Sequence, residues 1–126
     1  KSKSWLERNI LPIFNIFNIF SDDTLKERVT RSTRAIDKLS QLEVFDFKYT
    51  DAVRSAGIDP SYIRTGTSAQ QMATIYPQAV ETVDLDGRPV LTVNYGELVP
   101  DLIEAIVTQQ QQIKELTAKI NEMGSN

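Results

Sequence analysis

Residues 93–123, VNYGELVPDLIEAIVTQQQQIKELTAKINEM, decide how the rest of the chain is read. Their apolar positions are Tyr95, Val99, Leu102, Ile106, Ile113, Leu116, Ile120 and Met123, with Gln109 filling the one gap, and the steps between them alternate four and three. That is a heptad pattern sustained for about four repeats. A helix of this length runs on the order of 45 Å, longer than a small domain is wide, so the short elements before it cannot cover its stripe. The pattern predicts a coiled-coil seam covered by further copies of the same chain.

The number of copies is set by two opposing features. Val99, Ile106, Ile113 and Ile120 take the a positions, and Tyr95, Leu102, Gln109, Leu116 and Met123 the d positions; β-branched a with Leu at d leans towards two strands. Gln109 points the other way, because a buried amide needs partners such as a three-fold axis provides. The plainer alternative is one amphipathic helix packed on its own domain.

Composition bounds the rest. The chain has 126 residues, 40% hydrophobic content and a net charge of -3 with its basic residues scattered, which fits one small domain plus the coil and gives no footprint for nucleic acid or an anionic membrane. Neither partner is expected. There is no Cys and no His, so disulfides, thiol nucleophiles, the usual zinc ligands and the usual general base are missing. No metal or cofactor is expected, and covalent catalysis would have to use Ser or Thr with Lys or a carboxylate as base. No apolar run is long enough to span a bilayer. The basic-then-apolar start is broken by Asn15 and Asn18 and lacks a small-residue cleavage site, so a signal peptide is not predicted.

Taken in order, residues 1–20 contain an Ile-Phe-Asn triplet with a period of three, which fits neither a half-buried strand nor a helix, and are read as a junction from whatever lies upstream. Ser21-Asp22-Asp23-Thr24-Leu25-Lys26 reads as a helix start with Ser21 as N-cap, Leu25 and Val29 giving a short apolar face. A second helix is predicted through Ile36, Leu39 and Leu42. EVFDFKYT at 43–50 alternates as a strand with Phe45, Phe47 and Tyr49 inward. A short helix and turn at 51–60, a second strand at 61–68 with Gly66 marking a bulge or close contact, and a helix over 69–76 stopped by Pro77 follow. Asp86-Gly87 between the apolar runs 79–83 and 90–93 is a hairpin signature. Asn94 with Glu97 resembles a capping box, and Pro100 implies either a kink or a helix beginning there. The expected class is α+β: a small helix and strand body whose hairpin leads into a long C-terminal coiled-coil helix, in a homotrimer. The expected division is a junction at 1–20, a body at 21–93 and the coil at 94–126.

Few residues suggest chemistry. Asp84 and Asp86 lack the spacing and distant Glu of an EF-hand and read as a solvated turn; Walker, GxGxxG and GxSxG patterns are absent. Gln109 to Gln112 reads as solvent face plus one core layer. Ser21 and Lys26 remain. Five helical residues rotate the direction by roughly 140°, which separates them on an ideal helix, although a cap residue lies off the cylinder. The plain alternative is a cap serine and an exposed lysine. If the two meet, Lys26 in its neutral form can take the hydroxyl proton while Ser21 attacks a carbonyl, with first-turn amides as oxyanion donors.

The succession SDDTLKERV, AIDKLSQL, VFDFKYT, TGTSAQQMATIYPQAV and VNYGELVPDLIEAI resembles the C-terminal intramolecular chaperone domain of phage tailspikes and tail fibres. This is the self-cleaving domain of endosialidases and neck-appendage proteins, shared with myelin regulatory factors. Its sharpest part is Ser-Asp-x-x-Leu-Lys, supported by Gly66, Ala69, Gln70, Pro77, Tyr95, Leu98, Val99, Pro100, Glu104, Ala105 and Ile106.

The resemblance implies a homotrimer that aligns three upstream fibre chains for folding and then cuts itself off, with Ser21 as nucleophile, Lys26 as base and Phe20-Ser21 as the scissile bond. The seam of that trimer would comprise Val99, Leu102, Ile106, Gln109, Ile113, Leu116 and Ile120. The expected setting is the host cytoplasm during virion assembly, with release from the mature particle after cleavage. Removing a folding aid after assembly gives a fibre whose stability is kinetic rather than reversible. The alternatives are a non-cleaving trimerisation module of a fibre and a coiled-coil adaptor for an unrelated helix.

Overall fold

The structure, a computed structural model, describes residues 18–125. The chain divides into two compact units, Lys1–Arg31 and Ser32–Asn126. The Ile-Phe-Asn triplet and the basic-then-apolar start fall at 1–17, outside the described residues, apart from the last triplet position at Asn18.

In the first unit the predicted helix after Ser21 does not form. A single 3-10 turn, Asp23–Leu25, stands in its place, and its N-cap is Asp22 rather than Ser21. Leu25 and Val29 are exposed, so the short apolar face has nothing to bury itself in. Without such packing a helix this short does not repay its nucleation cost.

The second unit is α+β, with strands and helices in the predicted order. Helix α1, Ala35–Leu39, is a little over one turn and ends before Leu42, which still packs against the core. Its N-terminus has no cap of its own. Glu104 instead supplies an Oε2 that accepts from Ala35 N at 3.1 Å. Strands β1, Phe45–Phe47, and β2, Arg64–Gly66, pair antiparallel with Phe45 opposite Gly66. Phe45, Phe47 and Tyr49 meet edge to face along one side; Phe45 and Phe47 are half-buried as the alternation predicts, whereas Tyr49 lies past the end of the shorter strand and is exposed. Between the two strands lies a 3-10 turn, Asp51–Ala56, closed by Gly57.

Helix α2, Ala69–Ile75, is capped by Ser68, whose Oγ accepts from Gln71 N, and stops before Pro77. Gln71 spends both ends of its amide on one loop: Oε1 accepts from Glu43 N at 2.9 Å and Nε2 donates to Gln41 O at 3.1 Å. A carboxylate there could make only the first bond. A 3-10 turn, Pro77–Ala79, leads into the hairpin of β3, Val80–Leu85, and β4, Arg88–Val93. Both turn residues have positive φ, 52° at Asp86 and 79° at Gly87, the pattern that lets a two-residue turn follow the strand twist.

Asn94 caps a 3-10 turn, Tyr95–Leu98, by accepting from Gly96 N; Glu97, expected to close a capping box, is simply a first-turn acid. Helix α3 then runs Val99–Gly124 with Pro100 in its first turn, so the helix begins at the proline instead of kinking there. The core is Met72, Tyr76, Ala79 and Leu98, flanked by Leu39, Leu42, Ile75, Val80 and Val93. It thus draws on α1, α2, the hairpin and the approach to α3. Ala35 and Ala105 are buried where α1 crosses α3, their small side chains letting the two helices approach.

Candidate functional site

The five-residue offset between Ser21 and Lys26 is bridged. Lys26 Nζ donates to Ser21 Oγ at 2.7 Å. On an ideal α-helix the two would point apart, but the backbone is extended at Asp22 (ψ 130°) and again at Lys26 (ψ 143°), with only the turn Asp23–Leu25 between. A tight turn between two extended residues leaves its flanks near each other, and the long lysine side chain covers the remainder.

Two features of this turn differ from the sequence reading. Capping falls to Asp22, whose Oδ1 accepts from Thr24 N at 2.8 Å and from Thr24 Oγ1 at 2.7 Å, so the Ser21 hydroxyl is not consumed as a cap. An Asp followed two residues later by Thr is the signal for such a turn. Three of the amides following Ser21 are engaged within the turn and are not ready oxyanion donors: Thr24 N by Asp22 Oδ1, Leu25 N by the Asp22 carbonyl at 3.0 Å, and Lys26 N by the Asp23 carbonyl at 3.2 Å. The hydrogen bonds from Thr24 hold the Asp22 carboxyl below the usual carboxylate range, keeping it ionised at neutral pH. Phe20, Ser21 and Lys26 are all exposed.

The second predicted feature, the stripe of α3, is likewise exposed. Val99, Leu102, Ile106, Ile113, Leu116, Ile120 and Met123 each keep 45% or more of their surface open, and Gln109 is exposed among them. Only the first part of the helix meets the rest of its unit, where Ile36 and Leu39 of α1 come beside Leu102, Ala105, Ile106 and Gln109. From Ile106 to Ser125 every described residue is exposed.

An open groove of about 700 Å³ lies between the β1–β2 pair and the β3–β4 hairpin, lined by Phe45, Phe47, Tyr49, Ile58, Leu91 and Tyr95 among others. Its Ser68 is occupied as the cap of α2, no lysine lines it, and its carboxylate, Asp84, accepts from Gly87 N at 3.1 Å within the hairpin turn. Among the described residues there is no cluster of His, Cys, Asp or Glu that could hold a metal ion, and no helix long and apolar enough to cross a membrane.

The sequence has counterparts in known proteins. The peptidase family described as "Chaperone of endosialidase" matches residues 21–81, beginning at the serine that Lys26 contacts. Over these residues the chain matches the chaperone-of-endosialidase family, the class that the Ser-Asp-x-x-Leu-Lys motif resembles. Similarity to individual proteins extends further along the chain. The long tail fiber protein Gp37 of Enterobacteria phage M1 is 30% identical over 104 residues, 82% of this chain and 41% of that protein. The Gp37 proteins of phages K3 and T2 are each 30% identical over 103 residues, 81% of this chain but 8% of theirs. The chain therefore spans less than half the length of these relatives.

Proposed function

We propose that this chain is an intramolecular chaperone: it trimerises, assists the folding of a tail-fibre region upstream in the same polypeptide, and then releases itself by cutting Phe20-Ser21. The observation that carries the reading is the 2.7 Å contact between Lys26 Nζ and Ser21 Oγ in a turn whose cap is another residue. The exposed apolar stripe of α3 supports assembly, since copies meeting along it would bury it, and the likeness to tail fibre proteins supports the upstream client.

The chemistry balances within the polypeptide and one water. Lys26 in its neutral form takes the Ser21 hydroxyl proton, Oγ attacks the Phe20 carbonyl carbon, and a tetrahedral oxyanion forms. Its collapse breaks the Phe20-Ser21 C–N bond as the Lys26 ammonium returns the proton to the departing amine. Phe20 is then joined to Ser21 Oγ as an ester, and water hydrolyses the ester to a Phe20 carboxylate and a free hydroxyl. Both dyad groups are exposed in the single chain; burial against another copy or the upstream fibre favours the neutral amine and ties cleavage to assembly. Because Thr24 N, Leu25 N and Lys26 N are engaged within the turn, the oxyanion donors are groups other than these three amides. The setting that follows is the host cytoplasm during virion assembly, with the domain leaving the particle after the cut.

Intact mass of an upstream-extended chain, wild type beside Ser21→Ala and Lys26→Ala, tests this. A new fragment beginning at Ser21 in the wild type alone is the expected result. Three uncut trimers would instead make the domain a non-cleaving clamp of the fibre.

A further inference from the structure

Ser21 and Lys26 are brought together by a turn whose side-chain bonds to Thr24 come from neither of them. In it Asp22 accepts from Thr24 N and Thr24 Oγ1 through Oδ1 and from Leu25 N through its carbonyl, and the Asp23 carbonyl accepts from Lys26 N. Both bonds from the Thr24 side end on the same carboxylate oxygen, Asp22 Oδ1. They fix residue 24, and through it the point where the chain straightens at Lys26.

We propose that Asp22 is the positioning residue of the dyad: its side-chain oxygen, acting through Thr24, shapes the turn that holds Lys26 Nζ against Ser21 Oγ. This rests on reading Ser21 and Lys26 as nucleophile and base, and it assigns the Asp of Ser-Asp-x-x-Leu-Lys a task distinct from either. The task needs an acceptor at Oδ1 and not a negative charge. A carboxylate's charge beside an amine favours the protonated form, the wrong form for a base, so charge by itself would work against the reaction. An Asn side chain supplies the same acceptor without the charge and caps turns about as well.

Two readouts on the upstream-extended chain test the assignment. The first, recorded on uncut chain, is the nuclear Overhauser contact between the Ser21 β protons and the Lys26 ε protons. The second is the rate at which the Ser21 fragment appears. Asp22→Ala should lose the contact and slow cleavage by at least about tenfold, the order expected for a displaced reacting group, whereas Asp22→Asn should keep the contact and stay within about threefold of wild type. The circular dichroism of both variants should match wild type, because the second unit is untouched. Asp22→Ala retaining contact and rate would overturn the assignment, and so would Asp22→Asn failing as badly as Ala, which would make charge the requirement. If wild type itself does not cut, self-cleavage falls while the contact data still decide: contact kept in Asn and lost in Ala sustains the role of Asp22, and any other pattern ends it.

Discussion

The Tyr95 hydroxyl accepts a hydrogen bond from Thr67 N at 2.9 Å, tying the approach to the long helix to the residue just beyond β2. The same oxygen lies 3.1 Å from Thr67 Oγ1 and 2.9 Å from where a Cβ on Gly66 would stand, with a Phe47 ring carbon 3.1 Å from that point. Gly66 is therefore required for close approach, as its place in the predicted strand suggested. Gly66→Ala should lower stability by about 1–3 kcal/mol, and Tyr95→Phe by about 1 kcal/mol. Because both touch one contact, the double variant should lose less than the sum. Urea unfolding at one fixed protein concentration measures all three.

Tyr76 is buried and donates to Asp101 Oδ2 at 2.5 Å, while Lys38 Nζ sits 4.2 Å above its ring. Burial first, then the Asp101 bond and charge, raise the phenol's pKa above its ordinary 10.0. A raised pKa in the folded state means that the unfolded chain loses this proton first. The tyrosine's contribution is thus complete below pH 10 and declines as pH rises beyond it, by up to about 1.4 kcal/mol per pH unit. Tyr76→Phe should remove that part of the alkaline decline and cost about 1–2 kcal/mol near neutrality. Stability measured from pH 7 to 11 for both proteins gives the comparison.

Glu104 caps α1 from across the fold, accepting from Ala35 N. Glu104→Ala should cost about 1–2 kcal/mol by leaving an N–H at the buried Ala35 without its acceptor, and Glu104→Gln should recover most of it, since an amide oxygen can take the same bond. Thermal melts of the two variants separate acceptor from charge.

Ile113 and Leu116 lie beyond the part of α3 that meets its own unit and are 57% and 59% exposed. Ile113→Ser with Leu116→Ser should leave the fold of a single chain intact, because nothing within it is uncovered. If copies meet along the stripe, sedimentation should show the assembly weakened by several kcal/mol, on the order of 1.5–3 kcal/mol for each side chain buried. An unchanged mass would show that the stripe is not the seam.

The order of elements was legible because each carries a local signal: Asp86-Gly87 between alternating runs, Pro77 after an apolar helix face, Phe45, Phe47 and Tyr49 at period two. What the sequence hid were bonds between distant residues. Glu104 reaching Ala35 and Gln71 bridging Gln41 and Glu43 leave no periodic trace, and a cap borrowed from another helix looks like a missing one. At the candidate site the residue types were readable, but helical geometry was the wrong frame. A three-residue turn replaced the helix, capping passed to Asp22, and the amides of Thr24, Leu25 and Lys26 are engaged within the turn.

The buried cluster takes Met72, Tyr76 and Ala79 from mid-chain but Leu98 from the approach to the last helix, and α1 has its N-terminus completed by Glu104. No shorter prefix of the chain can close this core. On the ribosome, where chains grow at about 5–20 residues per second, everything N-terminal to it is synthesised before this unit can become solid. A message truncated before Glu104 yields a product whose centre stays open, so completion of this small body reports that translation has passed Glu104.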